Sequence, residues 1–130
     1  MKKPIILGDL KLPFSHAMRV GDLVFVSGQA SVDLKTGDII GGTFGEEFAR
    51  SVDNLRTILA ASGATLAEVI KVGCYVRRDE DLVEFNKLYR QTFVEPFPAR
   101  TTITNCLPPQ LLFEIDCVAQ INNESSLEER

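Results

Sequence analysis

Apolar residues recur along the chain with two different periods, and the switch between them marks out the elements. Leu23-Val24-Phe25-Val26-Ser27 reads as a short buried strand ending at Gly28, and Asp33-Leu34-Lys35-Thr36-Gly37-Asp38 is a turn leading into Ile39-Ile40. The N-terminal part is therefore expected to be mostly hairpin. From Phe44 onward the period lengthens: Phe44, Phe48, Val52, Leu55, Ile58 and Leu59 fall three or four positions apart, the stripe of a helix lying on a sheet. Gly63 suits its end, since the residue just past a helix commonly needs positive φ. Thr65-Leu66-Ala67-Glu68 has the form of a capping box, and Val69 to Val76 reads as a strand. A second helix is expected from about Asp81 to Phe93, with Leu82, Phe85, Tyr89 and Phe93 on one face, stopping before Pro96-Phe97-Pro98. Arg100 to Asn105 and Leu111 to Ile121 are two further strands separated by Leu107-Pro108-Pro109, and 122–130 is a polar tail.

The order strands, helix, strand, helix, two strands predicts one α+β domain over 1–130, a sheet with both helices packed on one face. In the last strand Leu111, Phe113, Ile115, Cys117, Ala119 and Ile121 share a wholly apolar face, suited to the side under the helices. The other face carries Leu112, Glu114, Asp116, Val118 and Gln120, apolar and acidic together, with no helix left to cover it. Burial by another copy of the chain is the expected outcome.

Composition narrows the function classes. Among 130 residues, 45% are hydrophobic and 25% charged, the balance of a globular protein, and the formal charge is −4 with scattered Lys and Arg. Phosphate binding needs a concentrated basic surface, so a nucleic-acid partner is not expected. No apolar run approaches the roughly 20 residues that span a bilayer, and no signal-peptide core forms before Gly8 and Asp9, so a cytoplasmic protein without a membrane partner is expected. Cys74, Cys106 and Cys117 have no CxxC spacing and read as small hydrophobes, and His16 is the single histidine, so neither a metal centre nor a catalytic triad is expected.

Two residues stand out chemically. Arg100 opens a strand in which Arg100, Thr102 and Thr104 share a face, directly after the stiff Pro96-Phe97-Pro98-Ala99 segment. Its planar guanidinium can hold a carboxylate through two parallel hydrogen bonds. Glu114 interrupts an apolar strand and would line the same uncovered face if the two C-terminal strands pair. As structural residues, Arg100 would be surface or salt-bridged, and Glu114 would pair with Arg100 or Lys71.

Leu12-Pro13-Phe14-Ser15, Val26-Ser27-Gly28-Gln29, Asn54-Leu55, Phe85-Asn86-Lys87-Leu88-Tyr89, Pro98-Ala99-Arg100, Leu107-Pro108 and Glu114-Ile115 run over nearly the whole chain. In order and approximate spacing they resemble the reactive intermediate deaminase (Rid, or YjgF) family. The resemblance implies a chorismate-mutase-like fold and a homotrimer with clefts between subunits. It also implies hydrolysis of 2-imino or 2-enamino acids, of the 2-iminobutanoate and 2-iminopropanoate type, to 2-keto acids and ammonia without a cofactor or metal. Carried over by position, Arg100 matches the carboxylate-binding arginine and Glu114 the acidic residue that positions or activates water. Ser27, Gly28 and Asn86 match residues lining the cleft.

Three positions depart from the family pattern. Phe14 replaces a usual tyrosine, Glu47 stands near the place of a common glutamine, and Thr102 stands where many deaminases have a cysteine. The loss of a hydroxyl at Phe14 points to a more apolar imine. The alternatives to a deaminase are a non-enzymatic sensor or carrier of small carboxylates, which would use the same Arg100, and a related hydrolase of a catabolic pathway.

Overall fold

The computed structural model describes residues 1–122; the rest of the expected polar tail lies outside the described residues. Six strands form one sheet: β1 (Lys2–Ile5), β2 (Ala17–Val20), β3 (Leu23–Ala30), β4 (Val69–Val76), β5 (Ala99–Thr104) and β6 (Phe113–Gln120). Two helices, α1 (Phe44–Ala61) and α2 (Leu82–Thr92), accompany them. The strand order is β1-β2-β3-β6-β4-β5, antiparallel except for β4 and β5. No helix among the described residues is long and apolar enough to cross a membrane.

One face of the sheet is dry. Val24, Val72, Cys74, Val76, Phe113, Ile115 and Ala119 are completely buried there, and Leu55, Ile58 and Leu59 of α1 pack over them with Phe85 of α2. Phe48 and Phe113 hold the centre with ring centroids 4.9 Å apart. The stripe expected from Phe44 to Leu59 is this buried face of α1. Its start is fixed by Thr43, which accepts from the Glu46 backbone N–H while the Glu46 carboxylate accepts from the Thr43 N–H. The second capping box, Thr65 with Glu68, closes a single 3₁₀ turn before β4.

The two C-terminal strands do not pair, so the condition on which Glu114 would share a face with Arg100 is not met. A chain leaving β4, crossing through α2 and returning to the same sheet arrives parallel to β4, the usual outcome of a helical crossover. Hence β5 adds to the outer edge of β4, with Val72 opposite Arg100 and Cys74 opposite Thr102. β6 then fills the gap between β3 and β4, antiparallel to both, where its apolar face is flanked on two sides. The last strand starts at Phe113 rather than Leu111, because Pro108 to Leu111 form a turn closed by Leu111 N–H to Pro108 C=O. β3 continues past Gly28 to Ala30 through a bulge between Val26 and Gln29. In place of the expected hairpin running from Leu23 through the 33–38 turn into Ile39-Ile40, the N-terminal part is a three-stranded antiparallel meander, β1-β2-β3, and Ile39 contributes only an isolated bridge to Val32.

Among the described residues the opposite face has no covering layer. Met18, Phe25, Val118 and Ile103 lie on it, with Phe25 45% and Ile103 47% exposed.

Candidate functional site

Arg100 lies on the helix side of the sheet, at its outer edge, because its partner Val72 points into the core. Phe85 and Tyr89, one helical turn apart on α2, present their rings to it: the guanidinium carbon is 5.0 Å from the Phe85 centroid and 4.8 Å from that of Tyr89. The cation is held by ring quadrupoles rather than by a counter-ion. The described ion pairs are Lys11 with Asp9, Arg56 with Asp53, and Arg78 with Glu80 and Asp81, so among the described residues neither Arg100 nor Glu114 has an oppositely charged partner. A recess of about 200 Å³ opens over Arg100, walled by Asn86, Tyr89, Arg90, Phe97 and Pro98. Thr102 follows on the same face with its hydroxyl buried and unpartnered. The neighbouring Cys74 thiol is pushed up to about 12 by burial and is no nucleophile at neutral pH.

Glu114 belongs to the other face. It stands opposite Tyr75 of β4 and Ala30 of β3, beside the β3 bulge. The bulge brings Gly28 against its side chain so closely that a Cβ there would lie 2.6 Å from Glu114 Oε2. Burial first, and then repulsion by Asp116, raises the Glu114 carboxyl above its ordinary value. Asp116 itself accepts from the Gly73 N–H at 3.1 Å and the Tyr75 hydroxyl at 2.8 Å. Ser27 ties the preceding segment to the bulge, its hydroxyl donating to Ser15 C=O at 2.7 Å and its N–H to His16 C=O at 3.0 Å. That segment sets the Phe14 ring edge-on to His16, at 6.1 Å between centroids. Phe14, Gly28 and Glu114 line a concavity of about 580 Å³.

The residues singled out from the sequence thus fall into two groups. Asn86, Arg100 and Thr102 gather on the helix side, and Phe14, Ser27, Gly28 and Glu114 around the bulge on the other. The shared face that pairing of the C-terminal strands would give Glu114 and Arg100 does not form, since β4 separates their strands and the side chains leave opposite faces. With strands about 4.8 Å apart, two steps across the sheet separate them before its thickness is added. Nor does Glu114 pair with Lys71, whose ammonium reaches Thr101 Oγ1 at 3.0 Å. Glu47 is buried and accepts from the Leu112 N–H at 3.0 Å, which fastens α1 to the approach of β6. The aromatic shelf under Arg100 was missed as a site feature because Phe85 and Tyr89 also satisfy the pattern of a core-facing helix. Among the described residues, no three His, Cys, Asp or Glu side chains cluster as a metal site.

The family described as endoribonuclease L-PSP matches residues 9–121. The chain belongs to this family, the Rid or YjgF family that its motifs resemble. A RutC family protein of Pyrococcus abyssi is 36% identical over 108 residues, covering 82% of this chain and 85% of that relative. A protein of Dermatophagoides farinae named 2-iminobutanoate/2-iminopropanoate deaminase is 32% identical over 110 residues, 84% of this chain and 86% of its own length. The crystal structure of RidA from the Antarctic bacterium Psychrobacter sp. PAMC 21119 superposes with a TM-score of 0.78 at 27% identity, covering 88% of this chain and 93% of that one.

Proposed function

We propose that the protein is a cofactor-independent deaminase of small carboxylate-bearing imines, working as a homotrimer in which Arg100 of one subunit and Glu114 of its neighbour face a shared cleft. The observation that carries this reading is the Arg100 guanidinium, stacked on two rings and without an ionic partner among the described residues. Such an arginine has its hydrogen-bonding edge free for a carboxylate ligand. The placement of Arg100 and Glu114 on opposite faces within a chain supports a site completed by a second subunit, and the uncovered face bearing Phe25 and Ile103 offers the surface for one.

The chemistry asks little of the protein. Water adds to the carbon of a protonated imine, and Glu114 takes the proton the water loses, leaving a neutral carbinolamine. Glu114 returns that proton to nitrogen; the C–N bond then breaks, the C=O forms, and the hydroxyl proton passes to solvent as ammonia leaves. A carboxyl raised by burial is better matched to both transfers than an ordinary one. The relative from Dermatophagoides farinae, named for this reaction, supports the assignment. Despite the family's name, a formal charge of −4 with dispersed basic residues does not favour an RNA backbone as substrate.

The deciding experiment mixes two impaired variants. Arg100→Ala and Glu114→Gln trimers, each impaired alone, are unfolded together, refolded and assayed for 2-keto acid release. Random assembly gives about one cleft in four with both groups intact if the site spans subunits, and none if it does not. Recovery of about a quarter of wild-type activity is expected. Wild-type activity in either variant alone would end the reading.

A further inference from the structure

The concavity beside Glu114 is much larger than an imine with a methyl or ethyl side chain needs. Its volume of about 580 Å³ lies inside the range of about 300–1,000 Å³ that accommodates drug-sized ligands. Three separate segments contribute apolar wall: Leu12 and Phe14 between β1 and β2, Ile39 between β3 and α1, and Leu111 before β6. Leu12, Phe14 and Ile39 are 65, 46 and 46% exposed, so the described residues of the chain do not cover them. Several polar groups on the wall are already engaged. Gln29 donates to Ser27 C=O at 3.0 Å, His16 Nδ1 accepts from Leu7 N–H at 3.1 Å, and Asp33 accepts from the Lys35 and Thr36 N–H groups at 2.8 and 3.2 Å. Asp9 is paired with Lys11. Glu114 makes no such bond, and a ligand whose reacting carbon sits at this carboxylate can extend its remaining groups along Leu12, Phe14, Ile39 and Leu111, with the Lys11 and Lys35 side chains also on the lining.

We propose that the site takes imino acids with bulky apolar side chains, branched aliphatic or aromatic, in preference to those with methyl or ethyl groups, and that Leu12, Phe14 and Ile39 receive the side chain. This rests on the deaminase reading. Each methylene moved from water to such a wall multiplies binding by up to about fourfold. A leucine-derived imine, three carbons longer than an alanine-derived one, gains at least about tenfold even when the wall covers only part of it.

The test uses the intact protein and an amino-acid oxidase that generates imines from alanine, 2-aminobutyrate, leucine and phenylalanine, with keto-acid release timed for each. Expected is a kcat/KM at least about tenfold higher for the leucine and phenylalanine imines than for the alanine imine. Ile39→Ser narrows that ratio severalfold. A ratio near one, or a preference for the small imines, overturns the proposal and leaves the deaminase reading standing. Acceleration of none of them sinks the deaminase reading instead, and calorimetric binding of 4-methyl-2-oxopentanoate against pyruvate then decides on the wall alone. Tighter binding of the branched acid upholds it, and equal or weaker binding overturns it.

Discussion

Arg100 and Glu114 stand on opposite faces of one sheet, and their surroundings treat charge in opposite ways. Arg100 is exposed at a sheet edge, and the rings of Phe85 and Tyr89 support it without neutralising it. Glu114 is half-buried beside a glycine and repelled by Asp116, which raises its carboxyl above the ordinary value. A cation that must bind a carboxylate gains from a support that leaves its donors free, whereas a carboxyl that must exchange protons gains from losing water. Each half is suited to one task, and neither contains the other's chemistry.

The largest expected effect lies on the Glu114 half. Glu114→Gln removes the proposed proton acceptor while keeping the shape, so kcat should fall by about a hundredfold or more, with KM changed much less. Because its carboxyl titrates above the usual value, wild-type activity should fall on the acid side at a higher pH than an ordinary glutamate would give, and the variant should lack that limb. A kcat profile keeping the same limb in Glu114→Gln would assign it to another group.

The Arg100 half should respond in binding. Arg100→Lys keeps charge but loses the fork, and Arg100→Ala loses both. Charge-assisted hydrogen bonds of about 1.5–3 kcal/mol each imply a loss of about tenfold to a hundredfold in kcat/KM, worse for alanine, with the fold intact. The shelf is a milder version of the same test. Tyr89→Leu removes one of two rings and should raise KM about threefold to tenfold, while Tyr89→Phe, which keeps the ring, should restore it. Equal effects of leucine and phenylalanine would show that the hydroxyl or the packing matters rather than the ring face.

The sequence made the helices and the core legible because their signals are local. The stripe from Phe44 to Leu59, the apolar alternation from Phe113 to Ala119 and the Thr65-Glu68 box each declare themselves within a few residues. The order of strands was not legible in that way. Whether β6 pairs with β5 or inserts between β3 and β4 depends on which neighbours cover its apolar face, a non-local choice that spacing along β6 does not contain. The faces of Arg100 and Glu114 depend on the same choice, since the two residues share a face only where β5 and β6 pair directly. The bulge at Ser27-Gly28 had a local mark, a glycine inside a strand pattern, and that mark was read as the strand's end rather than as a close approach to another side chain.

The smallest expected effect separates the halves by pH rather than by rate. His16, on the Glu114 side, accepts the Leu7 N–H at Nδ1, which requires the neutral ring, and burial lowers its pKa from the ordinary value of 6.5. With the folded pKa below the unfolded one, the unfolded chain binds the extra proton. The stability that the neutral ring contributes is therefore complete above about pH 6.5 and is lost as pH falls through the unfolded value toward the folded one. Glu114 works with the opposite sign and lower down, its contribution fading as pH rises past the ordinary carboxylate value of 4.5. On the other half, burial holds the Tyr89 phenol up at about 12, so it does not titrate between pH 5 and 8. Urea unfolding at pH 5.5 and 7.5 should therefore show wild type and Arg100→Ala losing the same stability on acidification, and His16→Gln losing less. Equal losses in all three would mean that the Leu7–His16 bond does not couple the segment carrying Phe14 to pH.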